Sequence, residues 1–195
     1  MNFAETQLRM LTELQTNKLE RFFYILDFDR NGIIEKEDFI GIAENLCILW
    51  GIKEENEKYK KIVSGFEDSW NRFNFFVNNN DGRANWDHWI HFAEEMIING
   101  DENLFNEYVE NYVGELFDNF DMDKDGYINL DEFIDLFVAY RIEVRFAAKA
   151  FRKLDLNHDD LISRGELIKA VKEFFRSEDP DAPGNWLFGR GVLPN

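Results

Sequence analysis

Four twelve-residue stretches rich in Asp, Asn and Gly punctuate this chain, at Asp27–Asp38, Val77–His88, Asp121–Glu132 and Asp155–Glu166. Three of them repeat one pattern, with oxygen-bearing side chains at positions 1, 3 and 5 and a carboxylate at position 12. Between the stretches, apolar residues recur with the helical spacing i, i+3, i+4, i+7. The clearest stripe is Phe105, Tyr108, Val109, Tyr112, Val113, Leu116, Phe117 and Phe120. Others run through Tyr59, Ile62, Val63, Phe66, Trp70 and Phe73, and through Leu167, Ile168, Val171, Phe174 and Phe175. No segment alternates with period two for long enough to build a sheet. The chain therefore reads as all-helical, a series of four helix-loop-helix repeats.

The spacing within the loops has a chemical meaning. Calcium is a hard cation that takes six to eight oxygen ligands, and a twelve-residue loop can wrap around it. Side-chain oxygens are needed at positions 1, 3 and 5, a backbone carbonyl at 7, a carboxylate at 12, and a left-handed residue at 6. Asp121, Asp123, Asp125, the carbonyl of Tyr127 and Glu132 meet every requirement, with Gly126 at the turn. Asp155, Asn157, Asp159, the Leu161 carbonyl and Glu166 match too, with Asp160 in place of glycine. Asp tolerates the left-handed region better than most residues, so the strain should weaken binding without abolishing it. Asp27, Asp29, Asn31, the Ile33 carbonyl and Asp38 form a third set. Its position 12 is an aspartate, whose shorter side chain would reach an ion through fewer oxygens and lower the coordination number toward the six that magnesium demands. This loop is expected to discriminate poorly between calcium and magnesium.

The remaining stretch keeps the shape and loses the ligands. With Gly82 at position 6, Val77 falls at position 1 and His88 at position 12, leaving Asn79 and Asp81. Two oxygens cannot hold calcium against water, so this loop should be silent and serve by packing against the first. Ile34, Ile128 and Ile162 occupy position 8, where paired loops meet in a short two-stranded contact, and Ala84 is the weaker equivalent.

Two breaks divide the repeats, the charged stretch Gly51–Lys58 and the sequence Asn99-Gly100-Asp101. The expected layout is an N-terminal pair over residues 1–98, a C-terminal pair over 101–177 and a tail over 178–195. All three prolines lie at or beyond Pro180, where they forbid continuation of the last helix. Trp186, Leu187 and Phe188 are too apolar for a solvated tail, and the tail is expected to fold back and bury them.

Acidic residues outnumber basic ones 39 to 22, for a formal charge of −17. Such a surface repels nucleic acid and anionic lipid. Cys47 is the single cysteine, which excludes an internal disulfide and the usual zinc sites, and it reads as a buried inert thiol. The N-terminus has charges inside each short apolar stretch, unlike a secretory signal, and no stretch approaches the roughly 20 apolar residues of a membrane span. The simplest expectation is a cytoplasmic monomer. His88 and His91 stand i, i+3 beside Trp86 and Trp89, with no matching His or Cys cluster elsewhere. They read as partly exposed helix residues. With no phosphate-cradling glycine loop and no nucleophile motif, the chain is not read as an enzyme.

The loops and the four-repeat layout resemble the EF-hand superfamily. Within it the chain is similar to the sarcoplasmic calcium-binding proteins and calexcitin in size, in the wide separation of its first two loops, in the aspartate that ends the first, and in the tail Asp-Pro-Asp-Ala-Pro-Gly-Asn-Trp-Leu-Phe-Gly. The resemblance implies two EF-hand pairs facing each other in one compact globule, the tail tucked between them, and a silent second site. It also implies calcium and magnesium buffering, or calcium-triggered signalling through an unidentified target protein. Only four methionines are present, which disfavours a flexible Met-rich target groove. An alternative is a carrier of a bulky aromatic molecule, since 20 phenylalanines, six tyrosines and five tryptophans could line a cavity. Photoproteins and luciferin-binding proteins resemble the same layout.

Overall fold

The computed structural model describes residues 10–77 and 81–189. Asn79 and the N-terminal stretch read above for a signal lie outside the described residues.

Among the described residues, eight α-helices carry the fold. Helices α1 (Glu13–Leu26) and α2 (Lys36–Leu49) flank the first loop, and α3 (Glu57–Val77) and α4 (Trp86–Phe92) flank the second. Helices α5 (Glu102–Phe120) and α6 (Leu130–Ala139) flank the third loop, and α7 (Ala147–Leu154) and α8 (Arg164–Arg176) the fourth. Helix starts follow from side-chain caps on otherwise orphaned N–H groups. Thr12 opens α1 through a reciprocal capping box with Gln15, and Asn129 and Ser163 do the same for α6 and α8 with Glu132 and Glu166.

Two short antiparallel ladders join the loops in pairs. Strand β1 (Ile33–Ile34) pairs with β2 (Ala84–Asn85), setting Ile34 opposite Ala84. Strand β3 (Tyr127–Ile128) pairs with β4 (Ile162–Ser163), setting Ile128 opposite Ile162. All four position-8 residues are buried. The second loop is thus joined to the first loop through its backbone.

The apolar stripes meet in one core that spans both halves. Its centre is aromatic: Phe22 of α1 touches Trp89 of α4, Phe174 and Phe175 of α8, and Phe188 of the tail, with ring centroids 4.9–6.0 Å apart. Such pairs add about 0.5–1.5 kcal/mol each beyond the area they bury. The halves also meet where α2 packs on α6. There Asn45 donates to the carbonyls of Val138 and Ala139, and the Trp50 indole N–H donates to Asp135 at 2.7 Å.

The tail folds back as expected. A 3₁₀ turn, Pro183–Trp186, starts at a proline and leads Trp186, Leu187 and Phe188 into the core, where they are 8%, 1% and 1% exposed. Helix α1 holds it by its polar edge. The Lys18 ammonium donates to the carbonyls of Glu173 and Ser177 and to the Asn185 side chain, at 2.8–3.2 Å. Gln15 donates to the Arg176 carbonyl, and Arg21 to the Phe188 carbonyl. Gly184 lies flat on α8, where a Cβ would stand 2.3 Å from the Ala170 carbonyl oxygen. Burial outweighs the nearby Glu173 carboxylate and pushes the Lys18 ammonium down to about 8.

Beyond Phe92, at the end of α4, the structure departs from α geometry. Ala93–Ile98 is π-helical and closes with Asn99 N–H donating to Glu94. Gly100 follows, where a Cβ would meet the Met96 carbonyl oxygen at 2.3 Å. Cys47 is buried, as expected, and burial raises its thiol pKa, keeping it protonated and inert. No described helix is long and apolar enough to cross a membrane.

Candidate metal centre

The three ligand-bearing loops fold around their own carboxylates in the same way. The position-12 carboxylate accepts the backbone N–H groups of positions 2 and 9, which ties the loop's two ends together. Asp38 does so from Phe28 and Glu35 at 2.9 and 2.8 Å. Glu132 does so from Met122 and Asn129 at 2.7 and 3.0 Å, and Glu166 from Leu156 and Ser163 at 2.9 Å each. The position-1 carboxylate accepts the N–H of position 6: Gly32 to Asp27, Gly126 to Asp121, and Asp160 to Asp155, at 2.9–3.1 Å. Asp29, Asp123 and Asn157 at position 3 accept the N–H of position 5. Asn31, Asp125 and Asp159 at position 5 accept the N–H of Ile33, Tyr127 and Leu161 at position 7.

These local bonds require a left-handed turn, and the backbone supplies it. Position 6 has φ of +84°, +86° and +63° at Gly32, Gly126 and Asp160. Position 4 is left-handed as well, at Arg30, Lys124 and His158, with φ between +59° and +63°. Nothing in the Arg30 and Lys124 side chains marks them for that region, whereas histidine, as at His158, is a residue type enriched there. A signal did exist for Asn129 and Ser163, which cap α6 and α8: each precedes its glutamate by three residues, the capping-box spacing.

The acidic oxygens converge. Carboxylate oxygens of Asp27, Asp29 and Asp38 lie within 4.8 Å of one another, as do those of Asp121, Asp123 and Glu132. Mutual repulsion at that distance calls for a counter-charge. Asp121 Oδ1 is shielded from solvent and has no hydrogen-bond donor among the described residues. Such an oxygen costs about 1–3 kcal/mol if nothing pairs with it, and a cation at the loop centre is the partner that fits. Hard oxygen donors without sulfur or imidazole suit calcium or magnesium over transition metals.

The loops differ in how deeply their carboxylates are set. Burial pushes the Asp38 carboxyl up to about 6 despite the backbone donors around it, and raises Asp27 as well. Burial would also raise Glu166, but the Ser163 hydroxyl and the N–H groups of Ser163, Leu156 and Asn157 outweigh it and hold that carboxyl low. Asp38 is 2% exposed, and its two oxygens accept from Phe28, Asp29 and Glu35, so the shorter side chain still closes its loop.

The silent loop keeps Gly82 at φ +68° and the bond from Arg83 N–H to Asp81. At position 12, His88 turns its ring Nδ1 toward the Arg83 carbonyl at 3.3 Å, and at position 1 Val77 is buried in the core. Arg83 also pairs with Glu35 of the first loop at 3.5 Å. His88 and His91 are exposed, and neither belongs to a cluster of metal-ligating side chains among the described residues.

Comparison with known families matches the segments that carry the first and third loops. An EF hand domain model matches residues 112–140, and an EF-hand domain pair model matches residues 6–46. Calerythrin of Saccharopolyspora erythraea is 27% identical over 169 residues, covering 85% of this chain and 94% of that protein. Among solved structures, the calcium-loaded apo form of the coelenterazine-binding protein from Renilla muelleri superposes with a TM-score of 0.76 at 22% identity, over 92% of this chain and 99% of that one. The amphioxus sarcoplasmic calcium-binding protein superposes with a TM-score of 0.70 at 19% identity, over 94% and 100%.

Proposed function

We propose, from the premise that this chain belongs to the EF-hand superfamily of calcium-binding proteins, that it holds about three divalent ions and works as a cytoplasmic calcium and magnesium buffer. The observation that carries the reading is the repeated carboxylate frame of the first, third and fourth loops, described bond for bond above. In the first loop the ligands are Asp27, Asp29, Asn31, the Ile33 carbonyl and Asp38. In the third they are Asp121, Asp123, Asp125, the Tyr127 carbonyl and Glu132. In the fourth they are Asp155, Asn157, Asp159, the Leu161 carbonyl and Glu166. The protein's part is to fix these oxygens before the ion arrives, the ion supplying the positive charge that offsets their repulsion. The first loop, closed by Asp38, is the one assigned to magnesium as well as calcium.

Two features favour a buffer over a sensor. A sensor exposes an apolar groove when calcium opens a helix pair. Here the tail fills the interior and α2 lies against α6, so the surface that would open is already in use. The reading is of a monomer without catalytic activity. The carrier alternative would need a larger space than the opening lined by Phe22, Phe73, Tyr108, Tyr112 and Tyr140, which encloses about 30 Å³, room for one or two waters.

The test is calorimetric titration of chelator-stripped protein with calcium, with and without millimolar magnesium. About three sites, one or more competed by magnesium, support the assignment. Three sites indifferent to magnesium favour a sensor, and four sites or none refute the loop assignments.

A further inference from the structure

In a chain of charge −17, the surface of α7 has the opposite sign. From Val144 to Leu154 there are four cationic residues, Arg145, Lys149, Arg152 and Lys153, and no acid. By contrast, the 19 residues of α5 include acids and no Lys or Arg. Lys149, Arg152 and Lys153 are exposed and spaced i, i+3, i+4, so they share one face, opposite the buried Ala147, Ala150, Phe151 and Leu154. Arg145 is balanced by Glu143 at 2.6 Å. Arg152 and Lys153 have no ion pair or hydrogen bond from their side chains among the described residues.

The face borders a shallow depression of about 490 Å³ lined by Lys149, Arg152, Lys153, Asp155, Leu156 and His158. The one acid in that lining, Asp155, is 4% exposed and turns its oxygens toward the N–H groups of His158, Asp159 and Asp160. The helix dipole accounts for cations in the last turn, where Arg152 and Lys153 stand. It does not account for Lys149, which lies in the first turn, at the end of the helix that disfavours positive charge. Lys149 is instead held over the Trp186 ring at 4.6 Å, which fixes it in line with the other two.

We infer that the α7 face is a docking surface for an acidic segment of a partner protein, engaged more tightly when the fourth loop carries calcium. Charge complementarity selects the occupant. An extended peptide bearing several carboxylates can meet Lys149, Arg152 and Lys153 together, whereas a bilayer or a nucleic acid would bring its whole anionic surface against a molecule of net charge −17. The calcium dependence rests on the function proposed above. The fourth loop begins where α7 ends, and its Asp155 lines the depression, so an ion held by Asp155, Asp159 and Glu166 would offset negative charge at the groove's edge.

The test is fluorescence anisotropy of a fluorescein-labelled octaglutamate peptide, with an octaglutamine peptide as reference, in 50 mM KCl with calcium or chelator. The full chain is expected to bind octaglutamate at least tenfold more tightly than octaglutamine. The double variant Arg152→Glu/Lys153→Glu should lose tenfold or more, while Lys60→Glu/Lys61→Glu, an equal charge change on exposed residues of α3, should lose under threefold. Equal losses in the two variants overturn the site, as does equal binding of the two peptides. Tighter binding to phosphatidylserine vesicles than to octaglutamate overturns the choice of partner. Calcium titration of Glu166→Gln separates the two readings: if that variant binds as many ions as the parent, the fourth-loop assignment fails, while the charge-reversal comparison still decides the docking surface.

Discussion

Replacing Phe188 by alanine tests whether the tail is a structural part of the core. The side chain is 1% exposed, stacks on Phe22 at 4.9 Å and meets Phe174 edge-on at 5.1 Å. Truncating a buried Phe to Ala costs roughly 3–5 kcal/mol, from lost transfer energy and the cavity left behind. The upper part of that range applies if Phe22, Phe174 and Phe175, which pack on several sides of one another, cannot collapse into the gap. The Arg21 bond to residue 188 reaches a backbone carbonyl and survives the substitution, so the change isolates packing. For a chain of this length roughly 2–4 °C is lost per kcal/mol, which puts the melting temperature about 10 °C lower. Urea unfolding in saturating calcium, followed by far-UV circular dichroism, gives the free energy directly. A loss below about 1 kcal/mol with an unchanged m-value would refute the placement of this residue in the core.

Three further outcomes follow from individual residues. Asp160→Gly removes a left-handed non-glycine backbone at φ +63° and should tighten calcium at the fourth loop about two- to fivefold, read by calorimetry, because the strain is roughly 0.5–1 kcal/mol. Asp38 is ionised above about pH 6 and protonated below it, and the ion needs the ionised form. Calcium affinity at the first loop should therefore fall about tenfold per pH unit below 6, while the fourth loop, whose Glu166 is held low, should hold its affinity between pH 7 and 5. Amide resonances of Gly32 and Asp160 report the two loops separately. Lys18 has its folded value lowered from 10.5 to about 8, so the unfolded chain keeps a proton that the folded one sheds. Stability should rise between pH 8 and 9.5, by about 1–2 kcal/mol after solvent screening, and the Lys18→Met variant should lack that rise in urea titrations.

Much of this molecule could be read from local pattern, and the parts that could not share a cause. Loop positions, helical stripes and the buried tail are written in spacing and polarity, which act over a dozen residues or fewer. The Asp121–Glu132 frame is legible because each ligand also makes a bond inside its own loop. The Lys18 contacts are not legible, because they join residues more than 150 positions apart, and a lone Lys on α1 looks like any solvated charge. The π-helical Ala93–Ile98 was hidden for a related reason. Its contacts are with distant residues such as Arg176, whose guanidinium donates to the Ile97 carbonyl and lies over the Phe105 ring. Left-handed Arg30 and Lys124 were hidden because the loop, not the residue type, imposes their conformation.

The contact of α2 with α6 bears on how the two ends of the protein keep time with each other. Trp50, just past the helix that leaves the first loop, holds Asp135, three residues after the carboxylate that closes the third. The Arg141 guanidinium, just past α6, lies 3.6 Å from the centre of the Phe28 ring inside the first loop and donates to the Phe28 carbonyl. Each loop therefore has its neighbour's far wall as part of its own surroundings. A tilt of either helix would have to be shared by both, so departures of ions from the first and third loops should be correlated events.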